Sequence, residues 1–298
     1  MEPIRNSREI EPRINEPIAL NTTETPATMS QEKHGWRDWV EALLFALVIA
    51  FVLRSFVVEA YRIPSSSMEN TLLVGDFLLV NKFLYGAQLP FTDARLPALK
   101  AVAQGDVVVF KFPRDKETTF IKRCVAVAGQ TIEIKNKVVF VDDVEQAFPI
   151  EAKFSDTFEP NGKSDRAIFP SFSTFNRDNY GKVRVPKQGD VITLDEQSFY
   201  LYKFLLEDEG HSASLMGGTV YVDGKPTATY QVKENYYFML GDNRDNSHDS
   251  RYWGFVPESH IIGSALLIYW SWNPDVQLSN VFEKFRTVRW ERIGRIIH

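Results

Sequence analysis

The sequence predicts a mainly β protein preceded by one N-terminal helix, on three observations. Gly75-Asp76, Gly105-Asp106 and Gly189-Asp190 each stand before a short apolar run, Phe77–Val80, Val107–Phe110 and Val191–Leu194, the mark of a turn pair opening a strand. Thr119–Ala128 alternates with a period of two, placing Phe120, Lys122 and Cys124 on one face and Ile121, Arg123 and Val125 on the other. Near the N-terminus, Ala42–Leu53 is an apolar run without a charge.

Residues 1–35, with Pro3, Pro12, Pro17 and Pro26 and little apolar periodicity, read as a disordered arm. Alone, the run at 42–53 has the length of a core helix or a signal-peptide h-region; extended over Trp36–Val58 it reaches bilayer length and takes in Arg37, Asp38, Glu41 and Arg54. Trp36 and Trp39 suit the headgroup layer and the end charges can snorkel, so 36–58 is expected to be a single transmembrane signal anchor. No small-x-small site follows in Arg54–Arg62 for its removal. The cations do not set its orientation: Lys33 and Arg37 precede the run, and Arg54 and Arg62 follow it.

Residues 59–298 are left for one folded domain. Within it Thr131–Asp142 and Gly218–Asp223 read as hairpin strands, and Val138–Asp143 echoes Val220–Gly224. One helix is expected over Leu194–Glu209, with Thr193 and Glu196 as a capping box and Gly210 as the stop. In the tail, Lys284, Arg286, Arg289, Arg292 and Arg295 interleave with Phe282, Phe285, Val288, Trp290 and Ile293. That pattern fits a closing core strand with a solvated basic face, or a segment lying on anionic lipid.

Composition bounds the function without revealing it. The 298 residues are 44% hydrophobic, enough to bury a core, and the net charge of −5 argues against general nucleic-acid binding. The single cysteine excludes an internal disulfide.

The chemistry concentrates around Ser65-Ser66-Ser67-Met68. No Gly-x-Ser-x-Gly elbow surrounds Ser67 and no Ser-x-x-Lys follows from any of the three serines, so a base must come from elsewhere in the chain. On the alternating strand, one of two adjacent cations shares a face with apolar groups. If it is Lys122, desolvation lowers the amine from roughly 10.4 toward a usable base. Other readings stand beside this one. A serine triplet after Pro64 is usually a turn or a cap. Asp242, Asp245 and Asp249 could mark a calcium loop, although the sixth-position glycine and closing glutamate of an EF-hand are missing. His248 next to Asp249 could suggest a Ser/His/Asp triad with Ser67.

Three blocks in order, Tyr61–Lys82 with the serine triplet, Gly105–Gly129 with Phe120-Ile121-Lys122-Arg123, and Tyr237–Gly263 with Gly241-Asp242-Asn243-Arg244-Asp245-Asn246-Ser247, make the chain resemble the bacterial type I signal peptidases. The resemblance implies an antiparallel β-sheet catalytic core with an inserted β-rich subdomain at about 143–235. It implies a membrane-bound Ser/Lys endopeptidase that removes signal peptides from translocated preproteins after Ala-x-Ala type sites, the substrate adding as an extended strand. By position, Ser67 is then the nucleophile and Lys122 the base; Ser65 and the Ser67 N–H form the oxyanion hole; Ser247 orients the lysine; and Arg123, Asp242, Asp249 and Arg251 are structural charges. Preprotein signal peptides and the lipid bilayer are the implied partners, with no cofactor or metal. The N-terminus is placed inside the bacterial inner membrane and the catalytic domain on its outer, periplasmic side. Two departures are visible: Asn70 stands where many members have proline, and Cys124 where a small apolar residue is common. A LexA-like self-cleaving protease, and an inactive anchored module that binds peptides, are the alternatives.

Overall fold

Trp36–Val52 forms helix α1, opened by a hydrogen bond from Gly35 N to Asp38 Oδ2 (3.0 Å). In the computed structural model, which describes residues 35–298 apart from 90, 91, 93 and 278, the backbone then widens into a π turn over Leu53–Val57 and enters strand β1 (Val58–Arg62). The helix has 17 residues, or ~25 Å of rise against a hydrocarbon core of ~30 Å. No helix among the described residues is long and apolar enough to cross a membrane. The expected transmembrane helix at 36–58 is therefore corrected, because the widened turn and β1 take its last residues while Arg37, Asp38 and Glu41 occupy its first turns. The single-pass, N-terminus-inside placement of the domain outside the inner membrane rested on that span and falls with it. The expected arm lies, but for Gly35, outside the described residues.

The strands that follow are β2 (Asp76–Asn81), β3 (Val107–Phe112), β4 (Asp115–Ala126), β5 (Thr131–Lys135), β6 (Val138–Val141), β7 (Val144–Glu145), β8 (Tyr180–Arg184) and β9 (Val191–Thr193). Helix α2 (Glu196–Asp208) leads to β10 (Ala213–Met216), β11 (Thr219–Val222), β12 (Lys225–Pro226), β13 (Thr229–Gln231) and β14 (Tyr236–Leu240). The short helix α3 (Ser250–Trp253), β15 (Val256–Pro257), β16 (Ile261–Ser271) and α4 (Val281–Arg286) complete the order. A seven-stranded sheet, β1-β2-β16-β3-β4-β14-β15, is antiparallel throughout. The expected antiparallel β core is thus present.

Period-two alternation sorts β3 between two cores. Val107 and Val109 join Met68, Leu72, Leu78, Val80 and Ile268 on one side, while Val108 and Phe110 join Cys124, Met239, Trp253 and Val256 on the other. Met68 and Leu72, 1% and 0% exposed, anchor the chain just after the serine triplet, each burial stabilising by about 2 kcal/mol.

Between β4 and β14 lie three small sheets, β7-β6-β5-β8, β10-β11-β12 and β13-β9. Their core is continuous with the main sheet: Ile132, Leu206 and Val222 cluster with Ala126, Phe238 and Leu240. Because β5 and β6 pair in the same sheet as β8, that sheet straddles position 143. The two echoing segments are alike in structure as well, each turning on two positive-φ residues, Asp142-Asp143 and Asp223-Gly224, into a short antiparallel partner. Helix α2 starts later than expected, capped by a reciprocal Asp195–Ser198 pair instead of Thr193 and Glu196, because Thr193 is held in β9. Gly210 ends it at φ 87° as anticipated.

The tail closes the sheet. Residues 288–297 run beside the second half of β16, with Arg289 N on Ser271 O (3.0 Å), Gly294 N on Ile268 O (2.8 Å) and Ile297 N on Leu266 O (2.9 Å). Its basic face is only partly solvated. Lys284, 4% exposed, donates to the carbonyls of Asn273 and Val276, and Arg292, 6% exposed, grips the carboxylate of Asp76.

Candidate active site

Ser67 sits in a turn that follows β1 and is fastened from both sides. Its own carbonyl accepts from Asn243 N (3.1 Å), and the Ser66 carbonyl accepts from Asn243 Nδ2 (3.0 Å) and from Glu69 N (3.0 Å). Leu72 N closes a helical turn on Met68 O (2.7 Å). Asn70 holds φ 78° and donates from Nδ2 to Glu151 O (3.1 Å). Asparagine tolerates this left-handed conformation; proline, locked near −65°, does not. Asn70→Pro is therefore expected to destabilise the fold by about 1–3 kcal/mol, whereas Asn70→Gly stays near the parent. Urea midpoints of the two variants measure this, and a neutral proline substitution would contradict the turn described.

The register of the sheet delivers the lysine. Val108 faces Lys122 and Val107 faces Arg123 across β3 and β4, and on the far side β14 pairs Leu240 with Arg123 before turning into Gly241–Ser247. Lys122 Nζ lies 2.6 Å from Ser67 Oγ and 3.0 Å from the Ile121 carbonyl, with the Phe120 ring centroid at 5.2 Å. The residue is 4% exposed. Burial lowers its amine to about 8, against the opposing pull of the Asp249 and Asp242 charges. Set against an ordinary 10.5, this is a cost of about 3 kcal/mol for holding the protonated amine in place.

Two buried ion pairs frame the contact. Arg123 binds Asp242 in a two-point fork, Nε to Oδ1 at 2.9 Å and Nη2 to Oδ2 at 2.7 Å, and Thr71 Oγ1 adds a 2.6 Å bond to Oδ2. Arg251 forks onto Asp249, 2.9 Å at both oxygens, and Gly241 N donates to Asp249 at 3.1 Å. Burial alone would raise the Asp249 carboxyl, but the Arg251 charge and donors hold it below the usual range. Asp245 is engaged by Lys137 at 2.9 Å, so each of the three loop carboxylates faces its own cation. His248 lies against Phe112 and Tyr252 and makes no hydrogen bond to Ser67. Burial pushes the Cys124 thiol up, away from a nucleophilic state.

The remaining expected residues are placed as follows. Ser65 is exposed on the same turn as Ser67. Ser247 Oγ is buried, helps the Arg251 charge hold the Asp249 carboxyl low, and lies against Gly241, where any Cβ would collide with it and with the Ser67 carbonyl. Its expected bond to Lys122 is not made here. Thr71 and Asn243 tie the Ser67 turn to the charged loop and Arg292 ties that turn to the tail, roles that sequence reasoning missed. The only available signal was their position inside the matching blocks or, for Arg292, in the basic tail.

The family profile described as signal peptidase, peptidase S26, matches residues 36–270. The chain belongs to the signal peptidase family. It is 35% identical to the signal peptidase I of Buchnera aphidicola subsp. Acyrthosiphon pisum over 86% of this chain and 80% of that protein. Against that of Aquifex aeolicus the figures are 34%, 78% and 83%, and against that of Pseudomonas aeruginosa 32%, 79% and 72%. As a signal peptidase it is a serine endopeptidase that cleaves signal peptides with a Ser/Lys dyad, which sets aside the inactive binding module and the self-cleaving repressor type.

Proposed function

We propose that Ser67 and Lys122 are the dyad of this signal peptidase. The carrying observation is the 2.6 Å contact between Ser67 Oγ and a buried amine lowered to about 8. Lys122 takes the hydroxyl proton as Ser67 attacks the scissile carbonyl, then returns it to the leaving amine, and water releases the acyl group. The Ser65 hydroxyl and the Ser67 N–H stabilise the oxyanion, a task worth about 10²–10³ in rate per donor. Ser247 orients the amine during turnover, while Arg123, Asp242, Asp249 and Arg251 hold β4 against the loop.

The substrate is a preprotein with small side chains at the first and third residues before the cut. It adds as a strand beside β4: β14 covers β4 only over Arg123–Ala126, so among the described residues no strand pairs along that edge ahead of Lys122. Since the base must be neutral to act, kcat/KM should rise tenfold per pH unit below an apparent pKa near 8 and level off above it. A profile flat from pH 6 to 9 would refute Lys122 as the base.

The lipid bilayer is a second proposed partner. What supports it is the set of exposed apolar side chains on the tail, Phe282 (85%), Phe285 (55%) and Trp290 (67%). Cys124 is inaccessible, so a nitroxide on Phe282→Cys reports from one place. Adding anionic vesicles should shift its collisions from a water-soluble nickel reagent to oxygen; unchanged accessibility would remove this surface from membrane contact.

A further inference from the structure

Beside β4, a cavity of ≈510 Å³ opens between the sheet and residues 146–151. Buried Val125 and Val139 give it an apolar floor, and the exposed Phe148 an apolar edge. Neither dyad residue lines it, nor do Ser65 and Ser247. Arg123, Arg244 and Glu151 bring charge to it, and two of these are satisfied. Arg123 is bound to Asp242 and to the main-chain oxygen of His298 (2.8 Å), and Glu151 to Arg295 (2.8 Å).

Arg244 is the exception. It is 5% exposed and its Nε is buried with no hydrogen-bond partner. Among the described residues its guanidinium makes no ion pair, since the carboxylates whose charge it feels, Asp242 and Asp249, are taken by Arg123 and Arg251. Its one specific contact is the Phe148 ring, 5.7 Å from its carbon to the centroid. Burial, then the repulsion of Arg251, lowers it to about 10. A buried cation without a counter-charge is unfavourable, and a single anion entering the cavity relieves it.

We propose that this cavity is a binding site for a small organic carboxylate, its carboxylate on Arg244 and its apolar stem against Phe148, Val139 and Val125. One unpaired cation beside an apolar floor suits a monoanion with a hydrophobic body; a phosphate dianion would find too little positive charge and no use for that floor.

The test titrates the full chain with 3-(4-fluorophenyl)propionate and, separately, with its amide, followed by fluorine NMR. The acid should saturate one site and bind roughly tenfold or more tightly than the amide, the difference lying in the charge-assisted contact. Arg244→Met should erase that preference, and Ala147→Trp, which fills the cavity from its rim, should abolish binding of both probes. The second variant decides the matter if the first does not fold. Equal binding of acid and amide, acid binding unchanged in Ala147→Trp, or displacement of the acid by inorganic phosphate at equal concentration would each overturn the proposal.

Discussion

Lys122→Met should erase cleavage of a preprotein while leaving the folded chain more stable than the parent. The loss follows from the contact with Ser67: methionine preserves length and packing but cannot accept a proton, so rates should fall by about 10⁴-fold or more, as for Ser67→Ala. The gain follows from burial. The folded amine titrates at about 8 and an ordinary one at 10.5, so below pH 8 both forms of the chain are protonated there and the folded state bears the full penalty. Between 8 and 10.5 the unfolded state binds the extra proton and the penalty disappears. Methionine removes a cost on the order of 3 kcal/mol at pH 7 and almost none at pH 10.5. Denaturation midpoints at those two values, alongside a cleavage assay, check both halves. Retained activity would dismiss Lys122 as the base, and a variant equally destabilised at both pH values would dismiss its burial as the reason for its pKa.

The second large effect lies at Asp76. Asp76 is 0% exposed and accepts from Arg292 Nη2 (2.6 Å), Ser271 Oγ (2.7 Å) and Leu73 N (2.8 Å). Arg292 Nη2 also reaches the Thr71 carbonyl at 3.0 Å, so the tail, β2 and the Ser67 turn meet at one carboxylate. Asp76→Ala strands a buried guanidinium and two donors, and should cost about 3–5 kcal/mol. The urea midpoint should drop at an unchanged m-value. A loss under about 1 kcal/mol would mean that the tail contributes little to the sheet.

Local features were legible in the sequence to the extent that they depended on neighbours along the chain. The alternation of Thr119–Ala128 placed Lys122 and Arg123 on opposite faces, and Gly210 announced the end of α2. Asp76 read only as half of a turn pair, because its partner Arg292 lies in the tail and no local pattern reports a contact across that separation. The anchor failed for a related reason: hydrophobicity counts residues but does not reveal that the backbone leaves the α-helix at Leu53 to enter β1. Ser67 and Lys122 became recognisable as a pair through family order, since their approach depends on how β1 and β4 are placed in one sheet. Unpaired Arg244 had no signal at all, because only the folded chain shows which carboxylates are already taken.

The neighbouring positions 122 and 123 carry opposite assignments. In the proposed mechanism Arg123 is a strut that stays charged, and Lys122 must shed its charge to work. Only the pleat of β4 tells them apart, and a slip of one residue would present Ser67 with a guanidinium, which cannot serve as a base. Tolerance to insertion in the β3–β4 hairpin should therefore depend on parity: a two-residue change preserves which cation faces the serine, and a one-residue change exchanges them.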